Sequence, residues 1–265
     1  MQLATIKRLP LIRSWLRQRA VRKYFSSRGR GYHSGHFDTF AQARAWLPPS
    51  PEFAHDRFTE EYVNERSQRI WSFDYPVLFW LREAFQDGAT SLLDIGGSIG
   101  NQHYAYQRYL RYPQGLQWRV QELSAFIEQG REIARQRGAS GLSFADDWPS
   151  AWLESDIWMA AGVLEFLEDI HLDDLLSRAT HKPRYILLNK LPLTDAAGFV
   201  STQNIGFGSY APHHVFNRVA FIRSVEDQGY ELLDHWEVPE RGFVSLGFDD
   251  DEFDTYSGLC FRQKS

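Results

Sequence analysis

The sequence predicts an α/β fold: a mostly parallel sheet of seven strands with helices on both of its faces. Three observations carry that expectation. The apolar run at residues 91–94 meets a glycine-rich turn, strand-like and helix-like patterns then alternate five times, and two more strand patterns follow at 230–236 and 257–262.

The first strand ends in Asp94 and is followed by Gly96, Gly97 and Gly100. Three glycines leave bare backbone where a nucleotide-like ligand can approach, above the start of the next helix. The spacing is not that of a dinucleotide site, because G-x-G-x-x-G needs a second glycine where Ser98 or Ile99 stands. Residues 118–122, WRVQE, have the β-branched and aromatic content of a second strand. Glu122 closes it about 20 residues beyond the last glycine, where an acid reaches ribose hydroxyls in doubly wound folds; the other role open to it is to cap the next helix. That helix, 123–138, gathers Leu123, Phe126, Ile127, Ile133 and Ala134 on one face and stops at Gly138. A short third strand at 142–144 runs into Asp146 and Asp147, which read equally as ligand contacts or as a cap or Asx turn. Residues 156–169 read as a buried strand and a helical turn, and 185–190, YILLNK, as a central parallel strand. Residues 213–228 read as a helix stopped by Gly229.

Composition bounds the rest. The chain has 265 residues, 43% of them hydrophobic, enough for one sizeable domain with a lead segment. A single cysteine, Cys260, excludes an intramolecular disulfide. No Cys/His zinc spacing occurs, so no metal is expected and a reducing, cytoplasmic setting is. The acidic run Asp249, Asp250, Asp251, Glu252 and Asp254 lacks the spaced ligands of a calcium loop and reads as a solvated turn. No apolar run reaches 18 residues and no signal-peptide core opens the chain.

Charge is unevenly placed. Nine of the 29 basic residues precede Asp38, with no acid among them, leaving 20 basic against 34 acidic residues in the remainder, a balance of −14. In that arm Leu11, Ile12, Trp15, Leu16, Ala20 and Tyr24 fall near one helical face. Residues 1–31 therefore read as a basic amphipathic segment. Docking on an anionic inner-membrane surface or a partner, packing on the protein's own acidic body, and disorder are its three readings. Nucleic acid is not an expected partner, since no binding module accompanies the basic stretch.

The D-x-G-G-x-x-G turn resembles motif I of the class I S-adenosylmethionine-dependent methyltransferases. A wider resemblance covers about residues 30 to 262 in order: GYHSGHFDTFAQARAW, RSQRIWSFDYPVLFWL, LLDIGGSIGNQHY, VQELSAFIEQGREI, YILLNKLPL, VSTQNIGFGSYAPHHVFN and GYELLDHW are similar to a family of bacterial methyltransferases often found beside genes for cell-surface polysaccharide synthesis. The resemblance implies a Rossmann-like class I fold, S-adenosylmethionine as donor, and a small-molecule, sugar or lipid-linked glycan acceptor. It implies that the turn Gly96, Gly97, Ser98 and Gly100 lies along the methionine part with Asp94 helping to hold it. It further implies that Glu122 takes the ribose, Asp146 or Asp147 the adenine amino group, and that Ala160, Ala161 and Gly162 let cofactor or acceptor sit close. Three regions follow: the lead segment 1–31, a helical N-terminal extension or lid at 32–80 that includes Tyr62, Arg66 and Tyr75, and a catalytic domain at 81–265.

Methyl transfer to a sugar hydroxyl calls for a base within hydrogen-bond reach. Residues 202–217 follow the fifth strand, at the carboxyl edge where ligands bind in such sheets. They offer His213 or His214 as base, with Gln203, Asn204 and Tyr210 to orient the acceptor; Glu165, after the fourth strand, is the second candidate base. Two other functions stay open: a non-catalytic cofactor-binding or scaffold protein on the same fold, which the serine at 98 would suit, and a nicotinamide enzyme, against which the failed glycine frame argues.

Overall fold

The computed structural model describes residues 10–53, 58, 65–148, 150–247 and 252–264. Tyr62 and Asp249, Asp250 and Asp251, singled out above, lie outside them, as do residues 1–9.

The central sheet grows from apolar runs in which both side-chain directions are covered. β2 (Ser91–Ile95) pairs in parallel with β3 (Gln117–Gln121) and β5 (Ile157–Ala161); β3 pairs with β4 (Leu142–Ala145) and β5 with β6 (Tyr185–Leu191), also in parallel. Side chains alternate across a strand, so Leu92, Trp118 and Leu187 pack on one face while Leu93, Ile95, Trp158, Ile186 and Leu188 pack on the other. Three helices cover the first face: α3 (Tyr75–Gln86), α4 (Asn101–Tyr106) and α5 (Ser124–Gln136), through Val77, Leu81, Tyr104 and Ile127. α7 (Leu172–Arg178) and α8 (Arg218–Glu226), with the single turn α6 (Ser150–Leu153) between β4 and β5, lie on the second.

Two late strands complete the sheet. β11 (Tyr256–Gln263) inserts between β6 and β10 (Tyr230–Val238), antiparallel to both, giving the order β4-β3-β2-β5-β6-β11-β10. Sequence periodicity alone could not fix that direction. Cys260 is buried in β11 as a free thiol.

A second sheet stands where the sequence suggested a helical lid and an active-site loop. β1 (His33–Phe37) runs antiparallel to β8 (Phe199–Gly206), β8 antiparallel to β9 (Ser209–Asn217), and the short β7 (Leu193–Thr194) parallel to β9. The extension at 32–80 therefore mixes a strand with helices α2 (Phe40–Trp46) and the start of α3. Residues 213–217 are strand, and the helix expected from 213 begins at Arg218, capped by Asn217 through Ala220 N–H. Part of the polarity of this sheet is satisfied by hydroxyl hydrogen bonds: Thr202 Oγ1 donates to the Ser34 carbonyl (2.6 Å) and accepts from Tyr24 Oη (2.9 Å), and Ser201 Oγ donates to the Gly35 carbonyl (2.7 Å).

The lead segment does form a helix, α1 (Pro10–Tyr24). Its covered residues share one face and burial deepens toward the C-terminal end: Leu16, Ala20 and Val21 are half-buried and Tyr24 is wholly covered, whereas Trp15 is 55% exposed. Tyr24 packs on Phe25, Trp46 and Tyr210 with ring centroids 4.9 to 5.7 Å apart. The end of the helix is thus anchored on the body through aromatic contacts. Among the described residues no helix is long and apolar enough to cross a membrane.

Candidate active site

The glycine turn dictates where a ligand can sit. Gly96 has φ +68°, and a Cβ there would meet Val163 at 2.4 Å; at Gly97 it would meet Asp94 Oδ2 at 2.4 Å. Ser98 also takes a left-handed conformation, φ 54°, a strained choice for a residue with a side chain. Its N–H donates to Glu122 Oε2 (2.8 Å), and Leu123 N–H donates to Oε1 (2.7 Å). The carboxylate at the end of β3 thereby ties the turn to the start of α5.

Above this floor, at the carboxyl ends of β2, β3, β5 and β6, opens a cavity of about 680 Å³. Gly96, Ser98, Glu122, Ala161 and Gly162 form one end, with Asn101 and Gln102 of α4 and Leu123 and Phe126 of α5 beside them. The other end is lined by Trp71, Phe73, Glu165, Lys190, Arg241 and Tyr256, and β8 supplies Gln203 and Asn204. A cavity of this size holds one cofactor-sized molecule with room for part of a second.

The charges inside it are perturbed. Glu165 is 4% exposed, its Oε2 has no hydrogen-bond partner, and burial pushes its carboxyl up to about 7, with Lys190 and Arg241 holding it partly down. Burial brings Lys190 down to about 8, helped by the like charges of Arg241 and Arg66 and opposed by Asp74 and Glu165. Lys190 sits at the end of β6 with φ 61°, its Cε 3.2 Å from where a Cβ on Gly162 would stand. Tyr256 Oη is paired with His33 Nε2 at 3.0 Å.

The strand order is that of a known enzyme fold. No family model matches the chain, and no curated protein matches it in sequence. Among solved structures, the 1,6-didemethyltoxoflavin-N1-methyltransferase of Burkholderia thailandensis, with 1,6-didemethyltoxoflavin and S-adenosylhomocysteine bound, is similar at TM-score 0.50 and 16% identity, over 79% of this chain and 86% of that one. The core has a class I methyltransferase fold. Magnesium protoporphyrin IX methyltransferase from Synechocystis PCC 6803, with S-adenosylhomocysteine bound, gives TM-score 0.48 at 15% identity, over 94% of this chain and all of that one. Identity this low establishes architecture alone, so the chemistry must be argued from the site.

The site assembles some of the residues expected from sequence and not others. Gly96, Ser98, Glu122, Ala161, Glu165, Gln203 and Asn204 line the cavity; Gly97 and Gly100 shape its turn from below. Asp94 does not face the cavity. It is buried beneath Gly97, accepts from Trp118 Nε1 (3.0 Å), and burial pushes its carboxyl up to about 7. It lies directly under the turn and outside the cavity lining. Asp146 and Asp147 also lie outside the lining: Asp146 accepts from the Ser124 hydroxyl (2.7 Å) at the start of α5, a side-chain contact and not a helix cap.

The histidine expectation is corrected. His213 and His214 are strand residues of β9 and do not line the cavity. His213 is buried, and loss of hydration pushes it down to about 4, which makes it a poor base at neutral pH; His214 is lowered for the same reason and packs against Phe40, His171 and Phe216. Tyr210 points the other way, donating to the Phe25 carbonyl (3.1 Å). Asn204 Nδ2 donates to the Tyr24 carbonyl (2.6 Å), so its amide is engaged in the scaffold although the residue borders the cavity. Tyr210→Phe is accordingly expected to cost about 1 kcal/mol in a denaturant melt and to leave ligand affinity untouched; a loss of ligand affinity at unchanged stability would restore Tyr210 to the site.

Lys190, Arg241 and Tyr256 were not anticipated. Lys190 carried a signal, a charge at the carboxyl end of a continuous apolar strand, where such folds bind ligands. Arg241 and Tyr256 carried none, since only the antiparallel insertion of β11 brings them to this edge.

The residues present fit S-adenosylmethionine. Ser98 Oγ, Asn101 Oδ1 and Gln102 Oε1 are buried without partners and line the glycine end, where a ligand with amino and hydroxyl groups would satisfy them. Leu123 and Phe126 offer an apolar face beside Glu122 for a base.

Proposed function

We propose that the protein is an S-adenosylmethionine-dependent methyltransferase that O-methylates a small-molecule or sugar acceptor, with Glu165 as general base. The observation that carries the reading is the Glu165 carboxyl: buried, one oxygen unpartnered, facing the same cavity as the glycine turn and Glu122. Resemblance of the sequence to methyltransferases found beside polysaccharide genes supports a glycan precursor as acceptor. The exposed Trp15, Arg19, Arg22 and Lys23 of α1 support contact with an anionic membrane surface as part of the same proposal.

When bound, S-adenosylmethionine supplies a sulfonium methyl group whose departure leaves a neutral thioether. Glu122 faces the nucleoside end, the glycine turn lies along the methionine end, and the small Ala161 and Gly162 leave room for close approach. The walls hold the acceptor oxygen in line at near-attack distance. Glu165 Oε2 accepts the hydroxyl proton as the new carbon–oxygen bond forms. A carboxyl near pH 7 is suited to that task, since it is ionised in a large fraction of molecules yet basic enough to take a proton.

The test is a thermal-shift titration with S-adenosylmethionine, S-adenosylhomocysteine and NAD. A ligand at 100 times its dissociation constant stabilises by about 2.7 kcal/mol, which raises Tm by roughly 5 to 11 °C in a chain of this size. The shift is expected with both sulfur compounds, not with NAD, and is expected to vanish in Gly96→Val and Glu122→Ala. A folded wild-type protein that shifts with none of the three would sink the proposal.

A further inference from the structure

The methyl-transfer reading leaves one pair of residues at the acceptor end without a task. Tyr256 of β11 lines the cavity with Glu165, near enough for the Glu165 charge to disfavour its phenolate. Among the described residues its hydroxyl makes one hydrogen bond, with His33 Nε2 at 3.0 Å. His33 belongs to β1 of the second sheet and is 1% exposed, so β1 backs the site from behind Tyr256.

The surroundings of His33 decide which partner holds the hydrogen. Its ring stacks on Phe243 with centroids 4.6 Å apart and lies 5.0 Å from the His213 ring; burial, with His213 beside it, keeps it uncharged at neutral pH. A neutral imidazole has one N–H and one bare nitrogen. The Val244 carbonyl favours hydrogen on the ring. A carbonyl only accepts, and Nε2 is committed to Tyr256, so that hydrogen belongs on Nδ1, although Nδ1 completes no full hydrogen bond. Nε2 is then bare and takes the phenol proton, which leaves Tyr256 Oη only lone pairs to offer the cavity.

Two hydrogen-bond acceptors therefore border one space: the Glu165 carboxylate, whose Oε2 has no partner, and Tyr256 Oη. A single hydroxyl satisfies one of them, because it carries one hydrogen. We infer that the methyl acceptor is a diol with hydroxyls on neighbouring carbons: one gives its proton to Glu165 Oε2 as it takes the methyl group, and the other donates to Tyr256 Oη, which His33 holds in its accepting orientation. The inference rests on the methyltransferase reading and narrows its acceptor class. Tyr256 determines specificity on this account, and His33 is a positioning residue acting through it. Trp71 and Phe73, stacked with centroids 6.1 Å apart, border the same space and offer a flat apolar wall to a carbon ring that carries such a pair.

Two NMR measurements on the full chain saturated with S-adenosylhomocysteine test this. In the first, cis-1,2-cyclohexanediol and cyclohexanol are titrated and followed by chemical shift. The diol is expected to bind about tenfold or more tighter. Tyr256→Phe is expected to bring the diol down to the affinity of cyclohexanol, while cyclohexanol and S-adenosylhomocysteine keep their wild-type affinities. In the second, nitrogen-15 spectra of the imidazole rings, assigned by the signals lost in His33→Phe, are expected to show hydrogen on His33 Nδ1 and a bare Nε2, with the Nε2 resonance moving in Tyr256→Phe and the Nδ1 hydrogen staying. Equal affinities for the two alcohols, or binding of neither, in protein that holds S-adenosylhomocysteine overturn the inference and leave the methyltransferase reading intact. A diol preference that survives Tyr256→Phe overturns it as well. Hydrogen on His33 Nε2 makes Tyr256 a donor to the cavity and overturns it on wild-type protein alone, so the test stands even if neither variant folds. Wild-type protein that fails to bind S-adenosylhomocysteine at all brings down the parent reading and the inference with it.

Discussion

Glutamine in place of Glu165 is expected to make the protein more stable above neutral pH and, under the proposed function, to stop methyl transfer. The stability effect follows from linkage. The Glu165 carboxyl titrates at about 7 in the fold against an ordinary 4.5 in the unfolded chain. Between those values the unfolded chain releases a proton that the folded protein keeps. Stability from this group is therefore fully present below about 4.5, falls as pH rises through about 7, and is level beyond. A shift of that size corresponds to about 3 kcal/mol, or roughly 6 to 12 °C in Tm. Glutamine carries no such penalty, so urea melts at pH 5 and 8.5 should differ less for the variant than for the wild type, with the gain confined to the higher pH. Equal slopes in both proteins would show that Glu165 is not held in its neutral form. On the chemical side, loss of a general base costs about 10²- to 10⁴-fold, read in single turnovers with any acceptor that the wild type methylates. A group that weakens the fold while facing a ligand cavity is a familiar mark of function traded against stability.

The nucleoside end of this site was legible in the sequence because it is local. A strand, a glycine turn and an acid at the next strand end lie within about thirty consecutive residues, and each is fixed by its neighbours: Gly97 by Asp94 beneath it, Ser98 by Glu122 beside it. The central strands were legible for a related reason. β2, β5 and β6 are buried on both faces, so they appear as short continuous apolar runs that water cannot tolerate in a loop.

The second sheet hid itself by its polarity. HSGHF, FVSTQNIG and SYAPHHVFN show no regular apolar alternation, and their burial depends on partners far away in the chain, such as Thr202 with Ser34 and Asn204 with Tyr24. Local pattern therefore read them as loop and helix, and placed at the active site two histidines that the fold keeps out of the cavity, His213 buried and His214 half-buried. The acceptor end was legible only in part, through Glu165 and Lys190. Parallel pairing of β5 with β6 brings Glu165 to Lys190, and the placing of β11 between β6 and β10 adds Arg241 and Tyr256.

Trp118→Phe is the substitution expected to damage the cofactor floor most without touching the cavity. The indole fills a fully buried position in β3, and its Nε1 donates the hydrogen bond that Asp94 Oδ2 accepts; Asp94 Oδ1 already has no partner. Phenylalanine keeps much of the apolar contact but leaves a buried carboxyl with no donor at all. An orphaned buried group of this kind costs about 1 to 3 kcal/mol, and the smaller ring adds a cavity penalty of about 1 kcal/mol or more. The pH dependence distinguishes the two terms. Trp118 is the group that holds the Asp94 carboxyl down against burial, so its loss raises the folded titration point above about 7. The deficit relative to wild type should then be smallest at pH 5, where Asp94 is protonated in both folded proteins, and should widen as pH rises through 7 to 9. A deficit independent of pH would assign the whole effect to packing. Because Asp94 Oδ2 lies directly under Gly97, the same variant should bind S-adenosylhomocysteine more weakly at pH 9 than at pH 5, whereas Tyr210→Phe, remote from the turn, should bind it alike at both.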